Sequence, residues 1–304
     1  MVVWTADKGR ASSIKKLRWQ RLKAIQQLDP QQDNCEIARL IAGYEFPWDM
    51  TKALEIALLR TFCVPSISEL LDKTGEFAVR SQKRYDDTGL LISSIFKWGH
   101  DTEQGRAAIV RMNRIHSHFP ISNEDYLYVL STFIYEPIRW IDRFGWRQLC
   151  EVEKQGLFYF WASIGEQMGI QKIPSTYAAF EQYNLAYEVA HFRYSAATQR
   201  VGESTVTLFL SWFPALLRPV LKPWVYAMLD DGMLAAFGFP QPPALQRRLV
   251  EGLLRSRSHC LRYFPPRTQS WFYIDEPQRS YPKGYCLEDI GPPALIARLN
   301  RKQD

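Results

Sequence analysis

Along most of this chain apolar residues recur at three- and four-residue intervals, the spacing of a single helix face. Ile37, Leu40, Ile41 and Tyr44 mark the first clear case and predict a helix over 34–46. Phe46-Pro47-Trp48-Asp49 breaks it, and Asp49 is placed to cap a second helix running through Phe62. Val64-Pro65-Ser66 opens a third, where Ser66-Ile67-Ser68-Glu69 approximates a capping box and Thr74-Gly75 is the stop. Residues 80–118 read as two helices around a polar turn at Gly99-His100-Asp101-Thr102, with Asp101 or Thr102 as the second N-cap. A helix from Glu124 to about Tyr135 is expected to end or kink at Glu136-Pro137, because proline lacks the donor N–H. Two more follow, over 151–168 and from Pro174-Ser175-Thr176 to about Thr198. The pattern is that of an all-α protein.

Two stretches depart from plain amphipathic helix. Residues 8–28 carry Lys8, Arg10, Lys15, Lys16, Arg18, Arg21 and Lys23 beside Ile14, Leu17, Ile25 and Leu28. That describes either a basic helix on a membrane surface or a helix docked on the body. Residues 205–229 are the most apolar segment, but Pro214, Arg218, Pro219, Lys222 and Pro223 interrupt it. A broken, hairpin-like element is expected there: a membrane contact, a lid over an apolar pocket, or a segment buried against the body. Phe237–Pro243 is a linker, and a basic helix with Arg247, Arg248, Arg255, Arg257 and Arg262 follows. Beyond Pro265-Pro266 the chain is Pro-rich and reads as an irregular wrapping tail or a partly disordered one. The expected organisation is a basic N-terminal helix at 1–28, a main body at 29–240, a basic helix packed on it at 241–264, and the tail at 265–304.

Composition narrows the class. The 304 residues are 46% hydrophobic and 23% charged, enough to bury one sizeable core. A net charge of +6 is too mild to choose a partner, and no nucleic-acid module accompanies the basic stretches. Five scattered cysteines show no C-x-x-C, no zinc spacing and no C-x-x-C-H, so reduced thiols in a cytoplasmic-type compartment are expected. The N-terminus lacks the apolar core of a secretory signal, and no run of about 18 apolar residues suggests a spanning helix. Nucleotide-binding, phosphate-loop and serine-hydrolase signatures are missing, and no internal repeat is evident. Glu188-x-x-His191 is the single E-x-x-H, so a paired di-iron site is unsupported.

The candidate chemistry lies in 80–118. Arg80, Arg84 and Thr88 fall at successive i, i+4 positions and are expected on one helix face, which Leu91 and Ile95 continue. On the next helix Ile109, Met112 and His116 align, and His116 is read as facing inward. His118 points about 200° away from it, since each residue advances about 100°. An apolar-face histidine is also what an ordinary satisfied core residue looks like, and an Arg-Thr pair at this spacing is commonly solvated. Glu69 and Glu76 are further candidate pocket carboxylates, and His191 and Arg193 are candidates to reach the same pocket.

Arg84-x-x-x-Thr88, VPSISELLDKTGEF before it, and RMNRIHSHFPISNEDYLYVLSTF around His116 resemble the haem-dependent oxygenase family of latex-clearing protein (rubber oxygenase) and MpaB. The likeness runs from about Asp29 to Pro240 and is nearest the bacterial MpaB-like branch. It implies a single all-α domain with a globin-like haem-binding core, holding haem b non-covalently. It further implies His116 as the axial iron ligand, Met112 beside the haem, and Arg84 and Thr88 as catalytic pocket residues. The activity implied is oxidation, with O₂, of an apolar, isoprenoid or lipid-like substrate. The residues of 8–28 or 205–229 offer a peripheral membrane contact that suits such a substrate. The alternative is a non-catalytic helical protein that binds haem or lipid at a membrane surface. One departure stands out. The latex-clearing branch has a lysine just before the pocket threonine, where this chain has Asp87, so polyisoprene cleavage does not carry over.

Overall fold

The computed structural model describes residues 18–300. The basic stretch 8–17 lies outside the described residues; what is described of the first helix, α1 (18–25), docks on the body. Arg18 donates to the Phe264 carbonyl (2.7 Å) with its guanidinium 4.2 Å from the Trp146 ring centre. Arg21 pairs with the buried Glu45 (2.7 Å), and Ile25 is fully buried.

Helix α2 (Asn34–Leu40) runs into a π-helical turn over Ile41–Glu45, where a continuous α-helix is expected from periodicity. Long-range contacts hold that turn: Trp271 N–H donates to the Gly43 carbonyl (2.9 Å) and the Phe272 ring packs where a Gly43 side chain would be. Helix α3 (Pro47–Thr61) begins with proline at its first position, so Asp49 is not its cap. Asp49 is instead buried, accepting from Trp140 Nε1 (3.3 Å) and Arg257 (3.0 Å). Helix α4 (Pro65–Thr74) likewise lacks a side-chain cap and stops at Gly75, whose φ of +69° is left-handed. A short α5 (Glu76–Val79) leads to α6 (Ser81–Trp98).

Helix α7 (Glu103–His116) is capped by Thr102, which accepts from Gly105 N–H (3.1 Å). The turn before it needs two glycines. Gly99 has φ +83°, and a side chain at Gly105 would collide with the Gly99 carbonyl.

Helix α8 (Asn123–Phe144), capped by Ser122, runs uninterrupted through Pro137. Buried residues along its length, among them Phe133, Tyr135, Ile138 and Ile141, hold the helix against α3 and α9 (Glu151–Gln167), and tertiary packing outweighs the local cost of proline. The helix expected over 174–198 is two: α10 (Tyr177–His191) and α11 (Ala196–Ser211), the second capped by Ser195. The most apolar segment is broken as its prolines require, into the end of α11, a 3₁₀ turn at Ala215–Leu217 and α12 (Arg218–Tyr226). Then come α13 (Asp231–Phe237) and α14 (Ala244–Leu261), which packs on α8.

Residues 262–292 are irregular, with 3₁₀ turns at Tyr273–Asp275 and Leu287–Asp289, and they return across α6. A final helix, α15 (Pro293–Asn300), was not foreseen by periodicity. Among the described residues there is no β-strand, no helix long and apolar enough to cross a membrane, and no disulfide. The fold is all-α.

Candidate functional site

A cavity of about 610 Å³ opens between α4, α6, α7 and α8, floored by Trp161 of α9 and walled on one side by Ile290, Gly291 and Pro292 of the tail. Most of its lining is aliphatic or aromatic, including Leu70, Leu91, Ile115, Val129, Leu130 and Phe133. Into this surface the chain places a small set of polar groups.

Arg84 and Thr88 line the cavity together, and their mutual geometry is closed. Arg84 Nη1 donates to Thr88 Oγ1 (2.7 Å), and that hydroxyl donates to the Arg84 carbonyl (3.0 Å). Among the described residues no carboxylate stands at ion-pair distance from the guanidinium. Burial depresses its pKa, with Asp87 and Glu76 opposing from farther off. The Phe77 ring, 5.9 Å from it, is the electron-rich group that meets this cation, which would otherwise be costly to bury without a carboxylate. Arg80 does not share this face. It lies just before α6 and turns back to Glu76 (2.7 Å), so the expected three-residue stripe is two residues long.

His116, the last residue of α7, borders the cavity with Met112 one turn before it. Neither ring nitrogen has a hydrogen-bond partner among the described residues, and Nδ1 is sealed from solvent. The carbonyl or carboxylate that would orient such an imidazole is therefore not found. Desolvation, and secondarily the Arg84 charge, push its pKa down to about 4, so the ring is neutral with a lone pair available. The Tyr126 ring lies 5.7 Å from it, centre to centre. His118 is exposed and bonded to the Arg114 carbonyl (2.8 Å).

Asp87 stands where the resemblance to the latex-clearing branch leads to the expectation of lysine. Its carboxylate is tied down by Lys83 (2.9 Å), the Tyr281 hydroxyl (2.5 Å) and Gly291 N–H (3.0 Å). On the other side Arg111 of α7 donates to the Ile290 carbonyl (2.9 Å). One peptide unit, Ile290–Gly291, is thus held by α6 through its N–H and by α7 through its C=O. Gly291 has φ +127°, and a side chain there would press on Ile115 at 3.3 Å.

Several cavity residues were not foreseen as part of a pocket. Asp125 accepts from Ser66 Oγ (2.8 Å) and the Tyr187 hydroxyl (2.9 Å), and His191 stacks on the Tyr187 ring at 3.9 Å. Of the remaining candidates, Glu76 and His191 line the cavity, whereas Glu69 and Arg193 do not. Trp161 Nε1 is buried without a partner. A smaller apolar pocket adjoins the cavity, sharing Leu58, Thr88, Ile92 and Phe133 with it and closed by Trp271, Phe272 and Tyr273. Among the described residues no three or more His, Cys, Asp or Glu converge in a way that would hold a bare metal ion. Among the described lining residues, His116 presents a ring nitrogen with no hydrogen-bond partner and a lone pair free for a ligand.

The sequence profile of the family described as "ER-bound oxygenase mpaB/B'/Rubber oxygenase, catalytic domain" matches residues 50–257. The "ER-bound oxygenase mpaB'" of Penicillium brevicompactum is 27% identical over 84% of this chain and 76% of that protein. The "ER-bound oxygenase mpaB" of Penicillium roqueforti (strain FM164) is 29% identical over 73% of this chain and 85% of its own length. Latex clearing protein in its closed state superposes over 86% of this chain and 82% of that one, with a TM-score of 0.43 and 12% identity. The matched span takes in α6, α7 and α8 whole, and with them Arg84, Thr88 and His116; this chain belongs to the mpaB/rubber oxygenase family and is an oxidoreductase of the oxygenase type.

Proposed function

We propose that this protein is a haem b-dependent oxygenase acting with O₂ on an apolar, isoprenoid or lipid-like substrate. The observation that carries the reading is a neutral, unpartnered imidazole sharing a largely apolar cavity with an unpaired guanidinium. The cavity volume falls in the range of roughly 300–1,000 Å³ that organic ligands occupy. Haem, when bound, supplies the redox chemistry with O₂.

The chain's own residues do the rest. His116 holds the iron through a ring nitrogen, and its low pKa keeps that nitrogen unprotonated at neutral pH. Arg84 offers donors to a propionate or to another electron-rich ligand group. Thr88 has already given its hydrogen to the Arg84 carbonyl, so it acts as a positioning residue that steers the guanidinium. The aliphatic walls exclude water and take up a hydrocarbon chain. The relatives are named ER-bound, and peripheral association with a membrane, from which such a substrate partitions, is part of this reading.

The test is an absorption spectrum of protein expressed with haem supply, followed by a pyridine haemochrome assay. A Soret band is expected in the wild type and in His118→Ala, with at least tenfold less haem in His116→Ala. Equal haem in both variants removes the ligand assignment. Oxygen uptake with an unsaturated isoprenoid chain then separates an oxygenase from a carrier.

A further inference from the structure

We infer that α12 and α14 together form a lipid-contact face that seats this protein on a bilayer carrying anionic headgroups; the inference rests on the membrane association proposed above. Helix α14 buries one side against the body through Val250, Ser258 and the Arg257–Asp49 pair. Away from the buried Val250 and Ser258 runs an exposed apolar stripe at i, i+4, i+8, Leu245, Leu249 and Leu253, the first 69% exposed, which reaches the buried side only at its next position, Arg257. A helix packed on a core ordinarily presents polar residues there. Neighbouring α12, which packs beside α14, adds Val220, and the 3₁₀ turn leading into it adds Leu216, 92% exposed, and Leu217. Six large aliphatic side chains on α14, α12 and the turn that leads into α12 exceed the scattered apolar exposure of an ordinary surface.

Charge selects the occupant. Arg218, Lys222 and Arg248 lie on the same two elements, all exposed, and among the described residues none has a carboxylate at ion-pair distance. The acidic residues nearby are spent: Asp230 on Arg60, Asp231 on Arg247, Glu251 on Arg143 and Arg255. Apolar side chains fringed by uncompensated cations suit an anionic lipid surface. A second copy of the chain would bring like charges together, which opposes self-association.

The test is flotation of the full chain with phosphatidylcholine vesicles, with and without phosphatidylserine. Binding is expected to require phosphatidylserine. It should weaken at least tenfold in Leu249→Glu/Leu253→Glu and in Leu216→Glu/Val220→Glu, since each change removes apolar area worth roughly a factor of ten or more. Arg248→Gln and Lys222→Gln should each cost about fivefold. Unchanged melting temperature and absorption spectrum confirm that these exposed-site variants fold. If the wild type binds neither vesicle, the membrane reading itself fails. If it binds and the leucine variants bind equally, or if only removal of residues 1–17 abolishes binding, this face is not the contact. If the leucine variants instead dissolve a dimer seen by ultracentrifugation while vesicle binding persists, the face belongs to a second copy and the inference is overturned.

Discussion

A histidine held neutral by burial carries a pH signature. The ordinary imidazole pKa of 6.5 falls to about 4 at His116 in the folded, haem-free protein. Between these values the unfolded chain binds a proton that the native state refuses. Stability therefore falls as pH drops through that window and is regained as pH rises above the unfolded value. Denaturant titrations of haem-free protein between pH 4 and 7 should show this dependence, with His100, also lowered by burial, adding to it, and His116→Phe should reduce the slope by up to one proton. Thr88→Val should lower oxidation several-fold with haem content nearly unchanged, because it frees the guanidinium without emptying the pocket; kcat and haem stoichiometry measured together check this. Arg84→Ala should cost more activity than Thr88→Val, since the cation itself is lost. That Arg84 and Thr88, and Met112 and His116, border one cavity was legible in the sequence because each pair lies within one helix, while Arg80, just outside α6, escapes the same spacing. Asp125, Tyr187 and Trp161 were not, because α4, α8, α9 and α10 bring them together only through tertiary packing.

Neighbouring acids on α6 divide the work of fastening the tail. Asp86 accepts from the Tyr273 hydroxyl and from Ser280 N–H, both at 2.8 Å, while Asp87 takes Gly291 N–H. Restoring the latex-clearing pattern with Asp87→Lys should therefore unfasten the cavity wall rather than deliver an amine to the pocket. Faster amide exchange or proteolysis over 280–292, with no new iron ligand in the spectrum, is the expected result. Gly291→Ala should act the same way, destabilising by about 1–3 kcal/mol through its left-handed backbone and the contact with Ile115, as thermal melts would show. At this scale the sequence signals were uneven. Thr102, Ser122 and Gly75 mark their helix ends as local chemistry dictates. Pro137 misleads because it sits inside a helix held by its neighbours, and Asp49 because its partner Arg257 is 208 residues away.

Over the whole molecule, the all-α class follows from helical periodicity and proline punctuation, both local and so readable in one dimension. The course of 262–292 was opaque for the opposite reason. Its hydrogen bonds go to side chains on α6 and α7, and its own residues show no period to read. Such a strap is expected to melt together with the body. Removing residues 265–304 should lower the melting temperature by several degrees and empty the pocket of haem in the same variant, measured by calorimetry and by the ratio of Soret to protein absorbance.

The Ile290–Gly291 clamp also imposes an order on the protein's birth. Arg84, Thr88 and His116 leave the ribosome well before the segment that walls them in, so during synthesis their chamber has a missing side. A bulky, rigid guest arriving at that stage would meet an open side, which residues 290–292 wall in once they have been made.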